Sequence, residues 1–214
     1  MNNSFYSNVF LWLFVGLLIT FGSGYALMYN PTMMKMIFGG MGYIIIFILQ
    51  IGLCIYLTAR INSMQPATAK ILYLFYTLLT GITFAALFLM FEMSSILFVF
   101  LVTSILFGIF AFIGKTTNID LSKIGTFLFI GLIGVILLEI INIFLMNNTL
   151  DMVACIISII IFLGFIAYDM QQIKYMSESG TDSDNMAIIG AFTLYLDFIN
   201  VFIDLLRLFG KERD

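Results

Sequence analysis

Histidine is absent from this 214-residue chain, and so is most of the charge a soluble protein would carry. Without histidine, the usual imidazole metal sites, nucleophile–base pairs and near-neutral pH switches are excluded. Only 10% of residues are charged, against roughly 25% in soluble domains, while 62% are hydrophobic. Mean hydropathy is +1.12. The two cysteines, Cys54 and Cys155, lie inside apolar runs and read as small hydrophobes rather than a disulfide or metal pair. Proline occurs only at positions 31 and 66, so the long apolar runs are not broken internally by it. A net charge of −3 with scattered basic residues leaves no footprint for nucleic acid. What remains is a multi-pass membrane protein. Its long runs with 24 phenylalanines indicate helices, because the strands of a membrane barrel would alternate.

About twenty apolar residues cross the hydrocarbon core. The chain divides into seven such runs, near 9–29, 37–59, 71–91, 94–113, 124–146, 152–169 and 186–209, within one polytopic membrane domain spanning 1–214. The first run has no basic stretch before it and no small-residue cleavage site, so it reads as a permanent span rather than a signal peptide. Asn30-Pro31 ends it, because proline restricts the residue before it. The connectors are short; only 175–185 reads as a longer mobile loop. Glycines recur within most runs, as small residues do where membrane helices pack closely.

Lysine and arginine in the loops set the orientation. With a cytoplasmic N-terminus, Arg60, Lys70, Lys115, Lys123 and Lys174 fall inside and Lys35 alone outside. The tail runs against this rule, since Arg207, Lys211 and Arg213 fall outside if the seventh run crosses fully. That run therefore either spans or re-enters, and its length favours spanning.

The seventh run also carries a polar stripe. Asp197, Asn200, Asp204 and Arg207 stand at i, i+3, i+7 and i+10, on one side of a helix. Such a stripe cannot face lipid, so the helix is expected to be wrapped by the others. Asp197 falls near mid-membrane and needs a partner or a proton. Asp169, at the end of the sixth run, is the other intramembrane acid to consider beside it. Two acids close together in low dielectric share a proton and titrate as a unit. Arg60, at the inner end of the second run, is the cation with the reach to engage them; its plain alternative is a positive-inside anchor. Asp204 has Arg207 at i+3, a pair able to neutralise itself locally. Glu139 lies deep in the fifth run without an evident partner.

The segments Thr58-Ala59-Arg60-Ile61-Asn62, Tyr76-Thr77-Leu78-Leu79-Thr80-Gly81-Ile82-Thr83, Asp120-Leu121-Ser122, Tyr168-Asp169-Met170-Gln171-Gln172-Ile173-Lys174 and Leu196-Asp197-Phe198-Ile199-Asn200 occur in this order. Together they resemble the Bax inhibitor-1 family in its bacterial branch, over essentially the whole chain. The resemblance implies an all-α fold of seven transmembrane helices, the last central between two three-helix layers. It implies a pH-sensitive calcium leak in the bacterial cytoplasmic membrane, with the lipid bilayer, calcium ions and protons as partners, a membrane-protein partner left open, and no cofactor beyond Ca²⁺ as the transported ion. Asp169 and Asp197 match the family's pH-sensing pair, which also offers a transient Ca²⁺ site, and Arg60 matches the arginine that latches to it in the closed form. Asn200, Asp204, Arg207 and Glu139 are further pore or stripe candidates. Two departures stand out: Ser7-Asn8 replace a basic pair before the first helix, and Gln50 stands where some members carry an acid.

Other classes remain open on the residues alone. Two aspartates on neighbouring spans also suit an intramembrane aspartyl protease, but Leu194-Tyr195-Leu196-Asp197 lacks the Gly-x-Gly-Asp pattern of those enzymes. A proton-coupled transporter, or an accessory protein binding membrane proteases or partner helices, needs no pore.

Overall fold

The computed structural model describes residues 3–213, apart from the side chains at positions 3 and 62. The helices are α1 (Asn3–Met28), α2 (Pro31–Phe38), α3 (Gly42–Arg60), α4 (Pro66–Met90), α5 (Met93–Thr116), α6 (Ser122–Leu145), α7 (Asn148–Glu178) and α8 (Asp184–Phe209). All but α2 are long and apolar enough to cross a membrane. The fold is thus all-α with the expected seven spans, and the differences lie at their ends.

The second run does not begin at 37. Asn30 caps a separate short helix by accepting the Met33 N–H (3.1 Å), and Pro31 occupies its first turn, where the missing N–H costs nothing. Gly39 and Gly40 then break the helix before α3 starts at Gly42. Nor does the sixth helix stop at 169: α7 runs on to Glu178 through the polar-rich Met170-Gln171-Gln172-Ile173-Lys174-Tyr175-Met176-Ser177-Glu178. Gly180, with φ of +72°, follows it in the left-handed region that glycine adopts without a Cβ clash. The loop expected over 175–185 shrinks accordingly to 179–183.

The chain forms two compact units. The first comprises 1–92, 176–195 and 212–214, and the second 93–175 and 196–211. In the first unit α1 packs along α4. Gly24 permits this, because a Cβ there would come within 2.8 Å of the Gly81 carbonyl oxygen. Asn185, at the start of α8, donates to the carbonyls of Ile61 (2.9 Å) and Met64 (2.8 Å) beside the N-terminal end of α4. At the other end of α4 the tail returns, with Arg213 N–H donating to the Met90 carbonyl (2.8 Å) and Glu212 bridging Phe91. α8 runs unbroken from Asp184 to Phe209. That helix is long and apolar enough to cross a membrane.

In the second unit α5, α6, α7 and the later part of α8 pack through small residues and aromatic edges. Gly114 of α5 lies against the backbone of Ala167, and Gly125 of α6 lies under the Tyr168 ring. Phe198 of α8 meets Phe100 and Phe107 edge-on, with centroids 5.5 and 5.7 Å away. The 117–121 connector is pinned by Gln171 of α7, which accepts the Leu121 N–H and donates to the Ile119 carbonyl, both at 2.8 Å. Asp120, just ahead of α6, accepts the Ser122 N–H (2.9 Å), and these hydrogen bonds hold its carboxyl below the usual range. Along α8 two-thirds of the apolar window is buried (67%), against 6% for α6 and 11% for α3. Of the seven long helices α8 is the one turned most completely to protein.

Two outcomes follow for purified protein in detergent. A Cβ at Gly114 would strike the Ala167 carbonyl oxygen, whereas Gly108 has open space around it. Gly114→Ala is therefore expected to cost about 1–3 kcal/mol by overpacking, and Gly108→Ala to leave the melting temperature unchanged or raised. Thermal unfolding followed by intrinsic fluorescence compares the two directly; equal melting points would refute the close α5–α7 approach. Gln171→Leu strands a donor and an acceptor of the connector, each worth about 1–3 kcal/mol when left unsatisfied. Hydrogen exchange should accelerate at Leu121, and protection equal to wild type would count against the pin.

Candidate functional site

Asp197 sits on α8 with only 5% of its surface exposed. Its neighbours on the helix, Phe198, Ile199 and Val201, are buried and apolar, so water cannot reach the carboxyl from its own helix. The partner is Asp169 of α7, with which Asp197 shares a side-chain hydrogen bond. A hydrogen bond between two carboxyl groups exists only when at least one of them holds a proton, since an ionised carboxylate accepts and cannot donate. One oxygen of Asp197, Oδ2, has no hydrogen-bond partner among the described residues. An acid so placed is an incomplete arrangement, able to take a further donor or a cation.

Asp169 lies within a stretch that is itself held in place. Tyr168, one residue before it, covers Gly125, and Gln171, two residues after it, holds the connector to α6. Two of the sequence segments singled out above, around Asp120 and around Asp169, are therefore in direct contact.

The rest of the α8 stripe runs from Asp197 toward the helix end. Asn200 turns its amide back to its own helix, donating to the Leu196 carbonyl at 2.7 Å. Asp204 is buried and accepts hydrogen bonds from the Ser158 hydroxyl and the Cys155 thiol of α7. Arg207 lies 3.7 Å from Asp204, as the i+3 spacing suggests, but its principal partners are elsewhere. It donates to Glu139 of α6 at 2.9 Å and to Asp151 in the first turn of α7. Glu139, which has no evident partner in the sequence, thus has one in the fold. Asp151 went unnoticed because it falls just outside the apolar run. Its available signal was its place in the first turn of a helix whose N-terminus favours an acid.

A second polar chain was not foreseen. In the first unit the Thr20 hydroxyl donates to the Thr77 carbonyl (2.9 Å) and lies 2.6 Å from the hydroxyl of fully buried Tyr195. Tyr195 also bonds Thr80, which accepts from the Gln50 amide at 3.2 Å. The Tyr76–Thr83 segment supplies both threonines, and Gln50 has a definite structural partner. Arg60 ends α3 with its side chain exposed and forms no ion pair among the described residues. The Asn62 side chain of that segment lies outside the described residues. Among the described residues no group of three or more acidic or cysteine side chains is arranged to hold a metal ion.

The profile of the family described as inhibitor of apoptosis-promoting Bax1 matches residues 2–214. The inner membrane protein YbhL of Escherichia coli K12 is 36% identical over 216 residues, covering 98% of this chain and 92% of YbhL. A protein of Borreliella burgdorferi is 35% identical over 219 residues, covering all of this chain and 94% of its own length. A third, from Rickettsia prowazekii, is 38% identical over 178 residues, covering 82% of this chain and 75% of its own. A match of this extent, on a fold of seven apolar helices with the Asp169–Asp197 contact, leaves one assignment: the chain belongs to the Bax inhibitor-1 family of membrane proteins.

Proposed function

We propose that this protein passes calcium down its gradient across the bacterial cytoplasmic membrane, as a leak gated by the protonation of Asp169 and Asp197. The observation that carries the reading is the hydrogen-bonded carboxyl pair on two apolar helices, with one Asp197 oxygen still open. Two carboxyls at such range cannot both ionise without strong mutual repulsion. The singly protonated pair holds a short hydrogen bond, and its remaining charge attracts Arg60, which latches the closed form. Loss of the last proton sets like charge against like charge and loosens α7 from α8. The ion then meets Asp197, Asn200 and Asp204 in turn along the stripe. Ca²⁺ prefers six to eight oxygen ligands, so two carboxylates and an amide bind it weakly and briefly. Weak binding suits conduction, where the ion must leave as readily as it enters.

The orientation belongs to the same proposal. The loop charges put the N-terminus, 115–123 and 179–183 in the cytoplasm. Single cysteines introduced in those two connectors, on a background lacking Cys54 and Cys155, should resist an impermeant maleimide applied to intact spheroplasts. Ready labelling from outside would reverse the assignment.

The flux itself is measured with pure protein in vesicles holding a calcium dye. Wild-type flux should vary with pH, and Asp169→Asn and Asp197→Asn should each flatten that profile because one acid alone is left to titrate. Arg60→Ala should raise the resting leak. If both Asn variants keep the wild-type profile, the pair is structural and the sensor lies elsewhere. If no variant and no pH gives calcium flux, the leak reading fails and a proton-coupled transporter becomes the better account of the same carboxyl pair.

A further inference from the structure

The leak reading leaves Arg207 without a task, yet the side chain is engaged more heavily than any other cation described. Its guanidinium reaches three helices of the second unit. Nη1 donates to Glu139 of α6 at 2.9 Å, Nη2 donates to Asp151 of α7, and Asp204 of its own helix lies 3.7 Å away. A planar fork with five donors can hold two carboxylates in fixed directions at once, which a lysine ammonium cannot. Glu139 and Asp151 are partly exposed, at 43% and 42%, and Arg207 at 32%. Asp204 behind them is 9% exposed, and Cys155, which donates to it, is fully buried. The arrangement therefore has a wet side and a dry side. On the wet side an open cavity of about 250 Å³ is lined by Glu139, Asn142, Ile143, Asp151 and Arg207.

We propose that Arg207 is an ionic lid, closing by its fork across Glu139 and Asp151 one mouth of the polar stripe that runs through Asp204 and Asn200 to Asp197. Its role in conduction rests on the leak reading; its existence as a lid does not. A purely structural brace would be expected to pack tightly. Exposed ion pairs contribute little to stability, and here the fork stands beside an open cavity instead of filling it. Asp151 is eighteen residues from Asp169 along α7, about 27 Å at 1.5 Å per residue. The lid and the carboxyl pair are therefore separate devices placed along one helix. When the fork lets go, Glu139 and Asp151 are left facing the cavity without their cation, and the mouth becomes anionic and attractive to cations.

Cys155 reports on the lid directly, because it lies under it and Cys54 is the only other thiol. Cys54→Ser protein, full length and in detergent, would be treated with a maleimide, and the rate of Cys155 modification measured. The rate should be slow with Arg207 in place and rise about tenfold or more in Arg207→Gln, following the population of the open state. The Glu139→Gln/Asp151→Asn double variant keeps the arginine but removes both anchors, and should raise the rate similarly. Gly114→Ala, destabilising but remote from the fork in sequence and contact, should not. Wild-type rates in both lid variants, or equal acceleration by Gly114→Ala, would overturn the proposal. Faster Cys155 modification in protein that passes no calcium at any pH would support the lid and count against the leak.

Discussion

A carboxyl group in hydrocarbon is the constraint on which this structure turns. An aspartate at the centre of a membrane helix costs about 3 kcal/mol by insertion scales, and more if it stays charged and unaccompanied. Asp197 is such a residue, and the fold answers with protein on every side of it. Its helix is the most buried of the seven, and its partner Asp169 arrives on a second helix with a hydrogen bond. Neither acid alone could occupy that environment at modest cost. The mutual dependence of the two fixes the rotation of α8 about its axis: turned by a quarter, it would offer Asp197 to Phe side chains instead.

The two ends of α8 carry contacts of their own. Asn185 spends its amide hydrogens on the carbonyls of Ile61 and Met64, where the turn after α3 would otherwise leave acceptors without donors. Lys70 adds an ion pair to Asp184 at 2.8 Å while lying over the Trp12 ring. Past the other end, Lys211 donates its backbone N–H to the Ser95 hydroxyl, and Arg213 donates to Met90. These are ordinary hydrogen bonds of modest worth, about 1 kcal/mol each. Their effect is local, because each fixes the backbone at the end of the helix where it is made.

The sequence announced the parts of this arrangement that depend on composition and period. Seven apolar runs are visible because hydrocarbon demands length, and the stripe 197, 200, 204, 207 is visible because a helix repeats every 3.6 residues. Helix ends were less legible. The last turns of α7 are rich in polar residues, so the apolar run stops at Asp169 although the backbone continues to Glu178. The short α2 falls mostly between the runs 9–29 and 37–59, since Asn30-Pro31 and Gly39-Gly40 mark its limits only when read as caps. Partner choice was least legible. Arg207 takes Glu139 and Asp151 from 68 and 56 residues away, although Asp204 stands one turn off on its own helix. Which acid a guanidinium chooses depends on helix rotation and tilt, and neither leaves a local trace in sequence. The Thr20–Tyr195–Thr80–Gln50 chain escaped notice for a related reason: hydroxyls and amides scattered through apolar runs are individually common.

The kind of polar contact changes along α8 in a way that follows from dielectric. At its start the pair is ionic, Asp184 with Lys70, and both side chains are wetted. At Tyr195 the partners are neutral hydroxyls, which can be buried without the cost of desolvating a charge. At Asp197 the partner is a second acid, Asp169, and at Asp204 a carboxyl is served by a hydroxyl and a thiol. At Arg207 the contacts are again fully ionic, within reach of solvent. Ion pairs at the ends and hydrogen-bonded groups between them is the order that a slab of hydrocarbon imposes on one helix. On the proposed function and the proposed lid, the same order puts the proton-responsive pair in the middle of α8 and the ion-responsive contact at its end. Protonation changes a buried group's charge where no counterion can follow, whereas an exposed ion pair competes directly with the ions of the surrounding water.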